Sequence, residues 1–273
     1  MKNESYAVVI PFYNGLDTIE ELVTRIAKVF SELTYSYRVI IIDDSADETK
    51  HSKLQAWFKD STNISLISLE RNSGQHFATM RGLKNAEGSV VITMDEDLQH
   101  NPEDIPKLIE TRLSENVDVV YGNRLSKNWR FWVGKVILTV FFPNGPKTTC
   151  SFRLLDETIV RKLVKADVTF YELEGLIYKL QPSYGYADIR LETTAKGSRK
   201  SSYSLIKLYS LISNLIAYYS WFPIILLALV VIGVQLWLIY YLGFQGLIFL
   251  PLTGFSVLTL MAYISTRTRN PNS

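Results

Sequence analysis

Asp95-Glu96-Asp97-Leu98-Gln99 is the densest group of chemistry-bearing side chains in the sequence. Hard divalent cations take oxygen ligands, and Mg2+ is commonly held by one or two carboxylates together with substrate phosphates. Asp95 and Asp97 point to opposite sides of an extended chain unless the backbone turns there. On a turning loop, one can ligate a cation while the other holds a sugar or orients the first. The group closes an apolar run, Val90 to Met94, and a second acidic pair, Asp43-Asp44, closes another, Val39 to Ile42. A lone acidic pair in a loop is usually just solvated. Two such pairs, each ending an apolar run, point to a metal–diphosphate site.

Other chemistries lack their residues. No Gly-x-Gly-x-x-Gly and no Gly-Lys-Ser/Thr occurs, which argues against a dinucleotide-binding Rossmann site and a P-loop. Nothing resembles a serine nucleophile elbow, and His51, His76 and His100 are scattered without metal-ligand spacing. His100 follows Gln99 and reads as a loop histidine, with lining the site as the rival reading. The single cysteine, Cys150, excludes an intramolecular disulfide and fits a reducing compartment. A net charge of +2 with no long basic run argues against a nucleic-acid partner.

The acidic clusters need a scaffold, and the sequence describes one. Strand-like runs at Ala7–Pro11, Val39–Ile42, Ile64–Leu69, Val90–Met94 and Val117–Tyr121 alternate with helical segments at Asp17–Leu33, Glu48–Phe58, Gln75–Ala86 and Pro102–Leu113. Continuous β-branched runs separated by amphipathic helices predict an α/β domain with a mostly parallel sheet covered on both faces. Ligands of such sheets sit at the carboxyl ends of the strands, where both acidic clusters fall. A further strand is expected at Asp188–Thr193. Trp129–Phe142 reads as a helix against a membrane surface, with an ordinary core helix as the alternative.

The chain changes material near its C-terminus. From Leu208 to Thr266, 59 residues pass without an Asp, Glu, Lys, Arg or His. The sequence predicts a domain over 1–207 and a membrane anchor over 208–273, with spans at about 221–244 and 247–265 turning at Gln245-Gly246. Trp221, Trp237, Tyr240, Tyr241 and Tyr263 suit interfacial belts, and basic residues flank both ends of the pair. The positive-inside rule therefore puts both termini in the cytoplasm. Met1–Ser5 is not followed by the apolar h-region of a signal peptide, so no cleavable signal peptide is expected.

Seven strings, in order, resemble family 2 glycosyltransferases: Ala7–Asn14, Ile41–Asp47, Arg71–Gly74, Met94–Gln99, Tyr121–Arg124, Ser151–Leu155 and Ser201–Leu205. The branch they look most like is that of dolichol-phosphate mannose synthase and the bacterial polyprenyl-phosphate glycosyltransferases. The resemblance implies a GT-A nucleotide-sugar-binding fold. It places Pro11, Tyr13, Ile42 and Asp44 around the base and ribose, and Asp95, Glu96 and Asp97 along the diphosphate. Mg2+ or Mn2+ would lie nearest Asp97 and Gln99, with Asp95 beside them. Arg124 and Arg153 match arginines that meet donor or acceptor phosphate, a task suited to a guanidinium fork. The basic element before the anchor leaves Lys196, Arg199 and Lys200 open as phosphate contacts. Two departures stand out: Gly15 replaces a common glutamate, and the segment between Arg124 and Arg153 is short.

The resemblance thus implies an inverting transfer from a UDP- or GDP-sugar to a polyprenyl phosphate at the cytoplasmic membrane face, with a homo-oligomer allowed. Glu172 and Glu174 are base candidates should the acceptor be a glycan or lipid hydroxyl. A nucleotidyl- or phosphotransferase and a non-catalytic membrane scaffold are the other readings.

Overall fold

The computed structural model describes residues 4–86, 88–124, 144–166, 173–190 and 222–242, which fall into two compact units. The first holds everything up to residue 190 and is built on one seven-stranded sheet. Its strands are β1 (Ser5–Phe12), β2 (Ser36–Asp43), β3 (Ile64–Ser68), β4 (Val90–Thr93), β5 (Val119–Arg124), β6 (Arg153–Leu155) and β7 (Tyr184–Ile189). They lie in the order β3-β2-β1-β4-β6-β5-β7. All neighbours run parallel except β6, which is antiparallel to both β4 and β5.

The sequence pattern explains the layers. β1 and β2 are buried on both faces, as continuous apolar strands in a parallel sheet must be. Helix α1 (Ile19–Leu33) sends Ile19, Leu22, Val23, Ile26, Val29 and Phe30 into the core, one stripe at helical spacing. Burying each such side chain is worth roughly 1.5–3 kcal/mol. With α2 (Glu48–Phe58) and α4 (Ile105–Glu115), α1 shares a core with Val8, Ile10, Ile41 and Ile92. Helix α3 (Gln75–Asn85) packs on β1 and β2, and α5 (Glu157–Lys165) packs beside α3. Asp47 caps α2 by accepting from the Thr49 and Lys50 amides, and Asp156 caps α5 through Thr158. Helix α6 (Leu173–Lys179) precedes β7.

The sheet reverses its direction of growth at β1. The chain steps outward from β1 to β2 and β3, then returns to lay β4 on the other side of β1. The carboxyl ends of β1, β2 and β4 therefore meet at a topological switch point, where open α/β sheets form their binding crevice.

Two expectations are revised. The last strand begins at Tyr184 rather than Asp188, because the alternation of Gly185, Ala187 and Ile189 inward extends toward the N-terminal side. The fifth strand runs Val119–Arg124, since Asn116 ends α4 in the left-handed region and Asp118 is engaged by Ser183. The three-residue β6 and helices α5 and α6 went unread. The expected surface helix 129–142, the base candidate Glu172, the cluster Lys196–Lys200 and the second span 247–265 lie outside the described residues.

The second unit is described through one helix, α7 (Phe222–Leu242). Among the residues described in full, no helix is long and apolar enough to cross a membrane. The backbone of α7 nevertheless continues for 21 residues without a charged side chain in its sequence.

Candidate active site

At the end of β4 the backbone turns sharply. Leu98 adopts φ 57°, a conformation few side chains tolerate, and it is held there with its own side chain buried. Asp97 Oδ1 accepts the Gln99 amide at 3.1 Å, closing the turn. This turn resolves the difficulty of two aspartates on an extended chain. Asp95 is fixed from both sides by neutral donors: Gln75 Nε2 at 2.6 Å to Oδ1 and Ser151 Oγ at 2.6 Å to Oδ2.

No group of three or more His, Cys, Asp or Glu that could hold a metal occurs among the described residues. The donors present are two partly exposed aspartates and the Gln99 amide, all hard oxygens. That set fits Mg2+ or Mn2+ completed by substrate phosphates, since such ions are held by one or two carboxylates plus phosphate rather than by a full protein cage.

The ends of β1 and β2 stand alongside. Pro11 and Ile42 are register partners on the two strands. Ile42 is fully buried, so it belongs to the core, which corrects the expectation that it faces a base. Tyr13 is 57% exposed, with Lys50 Nζ 5.5 Å from its ring centre and donating to its carbonyl at 3.3 Å. Asp44 accepts the Ser73 amide at 2.6 Å and the Gly74 amide at 2.8 Å, one on each carboxylate oxygen, while Asn72 Nδ2 donates to its carbonyl at 3.0 Å. Gly74 sits at φ 90°, which explains a glycine just before α3. Burial raises the Asp44 pKa; the two amides oppose this, and the Asp43 charge adds to it. Asp43 itself is buried, accepting from Ser45 and meeting His51 Nδ1 at 2.9 Å.

Glu96 behaves differently from its neighbours. Its carboxylate turns back to the loop after β1, accepting the Tyr13 amide at 2.9 Å and the Asn14 amide at 3.0 Å. Thr18 Oγ1 donates to the Glu96 carbonyl at 2.6 Å. Both Glu96 carboxylate oxygens serve the β1–α1 loop.

Arg153 is also placed differently from the expectation of an open phosphate contact. It is 4% exposed and ion-paired with Glu174, while its Nε donates to Thr93 Oγ1 at 3.1 Å. Tyr121 donates to the same glutamate at 2.6 Å, and Thr93 Oγ1 donates to the Ser151 carbonyl at 2.5 Å. A chain of polar contacts therefore runs from Glu174 through Arg153, Thr93 and Ser151 to Asp95. Burial, the largest single effect, would lower the Arg153 pKa, but the Glu174 carboxylate together with Tyr121 and Cys150 outweighs it and holds the pKa above the usual range. His76 is partly buried, and burial, with the Arg153 charge, lowers its pKa.

Arg124 is positioned by β5, its side chain lying outside what the structure describes, and Lys200 lies beyond the described residues. His100 is buried rather than a loop residue, stacked on Phe152 with ring centres 5.5 Å apart and its Nε2 3.4 Å from Cys150 Sγ. Sequence reasoning missed Gln75, Thr93, His76 and the site role of Ser151. Gln75 directly follows the Arg71–Gly74 string and Ser151 opens another, and those positions were the available signal.

The family model described as "Glycosyl transferase family 2" matches residues 7–161. An undecaprenyl-phosphate 4-deoxy-4-formamido-L-arabinose transferase of Pseudomonas fluorescens is 31% identical, over 82% of this chain and 67% of that protein. Two solved structures share the fold. A glucosyl-3-phosphoglycerate synthase from Mycobacterium tuberculosis, in complex with Mn2+, UDP and phosphoglyceric acid, has a TM-score of 0.55 at 17% identity, covering 78% of this chain and 76% of that one. A mannosyltransferase from Pyrobaculum calidifontis, in complex with GDP-Man and Mn2+, has a TM-score of 0.51 at 14% identity, covering 67% and 54%.

Proposed function

The chain belongs to glycosyltransferase family 2, and from that premise we propose that it transfers a sugar from a UDP- or GDP-sugar to a polyprenyl phosphate at the cytoplasmic membrane face, with inversion. The observation that carries the reading is the Asp95–Gln99 turn at the end of β4, beside the ends of β1 and β2. The 31% identical relative, named for transfer onto undecaprenyl phosphate, supports the choice of acceptor.

Asp97, Asp95 and Gln99 are the residues that would hold the divalent cation. When bound, Mg2+ or Mn2+ neutralises charge on the departing nucleotide diphosphate. Gln75 and Ser151 keep Asp95 aimed, so its carboxylate needs no reorientation when the donor arrives. Asp44 fixes the Ser73–Gly74 bend beneath the nucleoside, and Tyr13 offers an exposed ring to the base side of the crevice. A phosphate monoester is already anionic near neutral pH, so attack on the anomeric carbon needs no strong general base. That suits a site whose Glu174 is committed to Arg153 and Tyr121. The same commitment takes Glu174 out of the role of base toward a hydroxyl acceptor. Arg124 and Lys200 are the proposed contacts to phosphate.

We place 208–273 as an anchor of two membrane helices, a reading supported by the uncharged sequence of α7. The test is to incubate membranes containing the protein with radiolabelled UDP- and GDP-sugars and polyprenyl phosphate, then extract the lipid. Label in the lipid fraction that depends on polyprenyl phosphate is expected. Label confined to a glycan, or a labelled nucleotide transferred in place of the sugar, would overturn the reading.

A further inference from the structure

The sequence joins two features that look unrelated, a glycine at 15 and a glutamate at 96. The Glu96 side chain crosses from the turn after β4 to the loop after β1 and accepts two successive amides there, those of Tyr13 and Asn14. A Cβ at Gly15 would stand 2.7 Å from Glu96 Cδ and 2.9 Å from Oε2, inside van der Waals contact. The carboxylate therefore occupies the volume that any side chain at position 15 would claim. Thr18 closes the same junction from α1 through the Glu96 carbonyl.

We infer that Glu96 is a positioning residue that couples the two halves of the donor site, tying the Asp95–Asp97 turn to the Tyr13–Asn14 loop. The inference rests on the proposed reading that the first holds a metal and diphosphate and the second a nucleoside. Its physical content is cooperativity. A carboxylate accepting two backbone amides makes charge-assisted bonds, about twice as strong as neutral ones. Ordering either loop therefore orders the other, and the second ligand fragment binds to a loop already held. By linkage, divalent metal and nucleoside strengthen one another through this contact by the same factor. Gly15 is the sequence condition for it: the loop can be clamped from position 96 only while position 15 stays without a side chain.

The test uses the full chain purified in detergent, with variants Glu96→Ala, Glu96→Gln, Gly15→Ala and the Gly15→Ala/Glu96→Ala double. Hydrogen exchange over residues 12–15, without nucleotide or metal, reads the clamp directly. Exchange should accelerate in Glu96→Ala, less in Glu96→Gln, which keeps one acceptor. Calorimetry with UDP and with GDP, each in MnCl2, reads the coupling. Glu96→Ala should weaken the nucleotide that wild type binds about tenfold and raise the Mn2+ concentration needed for half-maximal binding. Adding Gly15→Ala to Glu96→Ala should cost nothing more, although Gly15→Ala alone is harmful. Wild-type exchange in Glu96→Ala, or losses that simply multiply in the double variant, would overturn the inference. A lower melting temperature with unaltered nucleotide affinity would reduce Glu96 to a stabilising contact and overturn it too. If wild type binds neither nucleotide, the donor reading and the coupling that rests on it fall together, while the exchange result shows whether the clamp itself exists.

Discussion

The buried guanidinium of Arg153 and the mostly buried carboxylate of Glu174 form an ion pair, joined by the hydroxyls of Tyr121 and Thr93. Two charges out of water are tolerable only as a pair with their remaining hydrogen-bonding capacity satisfied. Glu174→Gln, which strands the guanidinium, should lower stability by about 3–5 kcal/mol. Arg153→Met combined with Glu174→Gln should recover much of that loss. Thermal and urea midpoints of the single and double variants check this. A double variant less stable than Glu174→Gln would show that the stranded charge is not what makes the single substitution costly.

Asp97, proposed above as a cation ligand, has one oxygen that accepts the Gln99 amide to close its own turn. Asp97→Asn should leave the melting temperature near wild type and reduce transfer by about 10²-fold or more, since Lewis-acid assistance is worth several kcal/mol. EDTA should do the same to wild type, and added Mn2+ should restore it. Full activity in excess chelator would remove the metal from the mechanism.

His76 gives the fold an acid sensitivity. Burial and the Arg153 charge hold its pKa below the ordinary value, so the unfolded chain, titrating near 6.5, binds the proton more readily. Stability is unaffected above that value and falls as pH drops through it, by at most about 1.4 kcal/mol per pH unit. Unfolding curves at pH 7.5 and 5.5 should converge in His76→Asn relative to wild type. An identical pH dependence in the two proteins would show that His76 carries none of it.

The proposed anchor predicts a topology. Basic residues precede and follow the uncharged stretch, so reporters fused at Ser5 and at Ser273 should both report the cytoplasmic side. Opposite sidedness would leave an odd number of spans and discard the hairpin.

The parallel half of the sheet was legible because its strands are apolar on both faces, a pattern set by neighbours in sequence. Asp95, Asp97 and Asp44 were legible for the same reason: each sits where such a run stops. Partners were not. Nothing local tells that Glu96 turns toward Tyr13 while Asp97 stays at the rim, because the choice depends on β1 and β4 being neighbours with a glycine at 15. Arg153 read as a phosphate contact from its type and its string. Its burial follows from β6 lying between β4 and β5, a register that three residues cannot announce. His100 misled in the opposite direction, since a polar neighbourhood in sequence concealed the Phe152 ring above it.

The reversed strand β6 also dictates an order of assembly. β4 and β5 come earlier in the chain yet never pair with each other; each waits for the three residues Arg153–Leu155 to arrive between them. A nascent chain that has emerged only as far as β5 can close the sheet from β3 to β4 but leaves the far edge of β4 open, the kind of edge that recruits other strands. Arrival of β6 seals that edge and, in the same step, delivers Ser151 to Asp95 and Arg153 to Thr93. Chains interrupted before Ser151 therefore keep the β4 edge open and lack both Ser151 and Arg153, so closure of the sheet at β4 and completion of the contacts to Asp95 and Thr93 come together, late in synthesis.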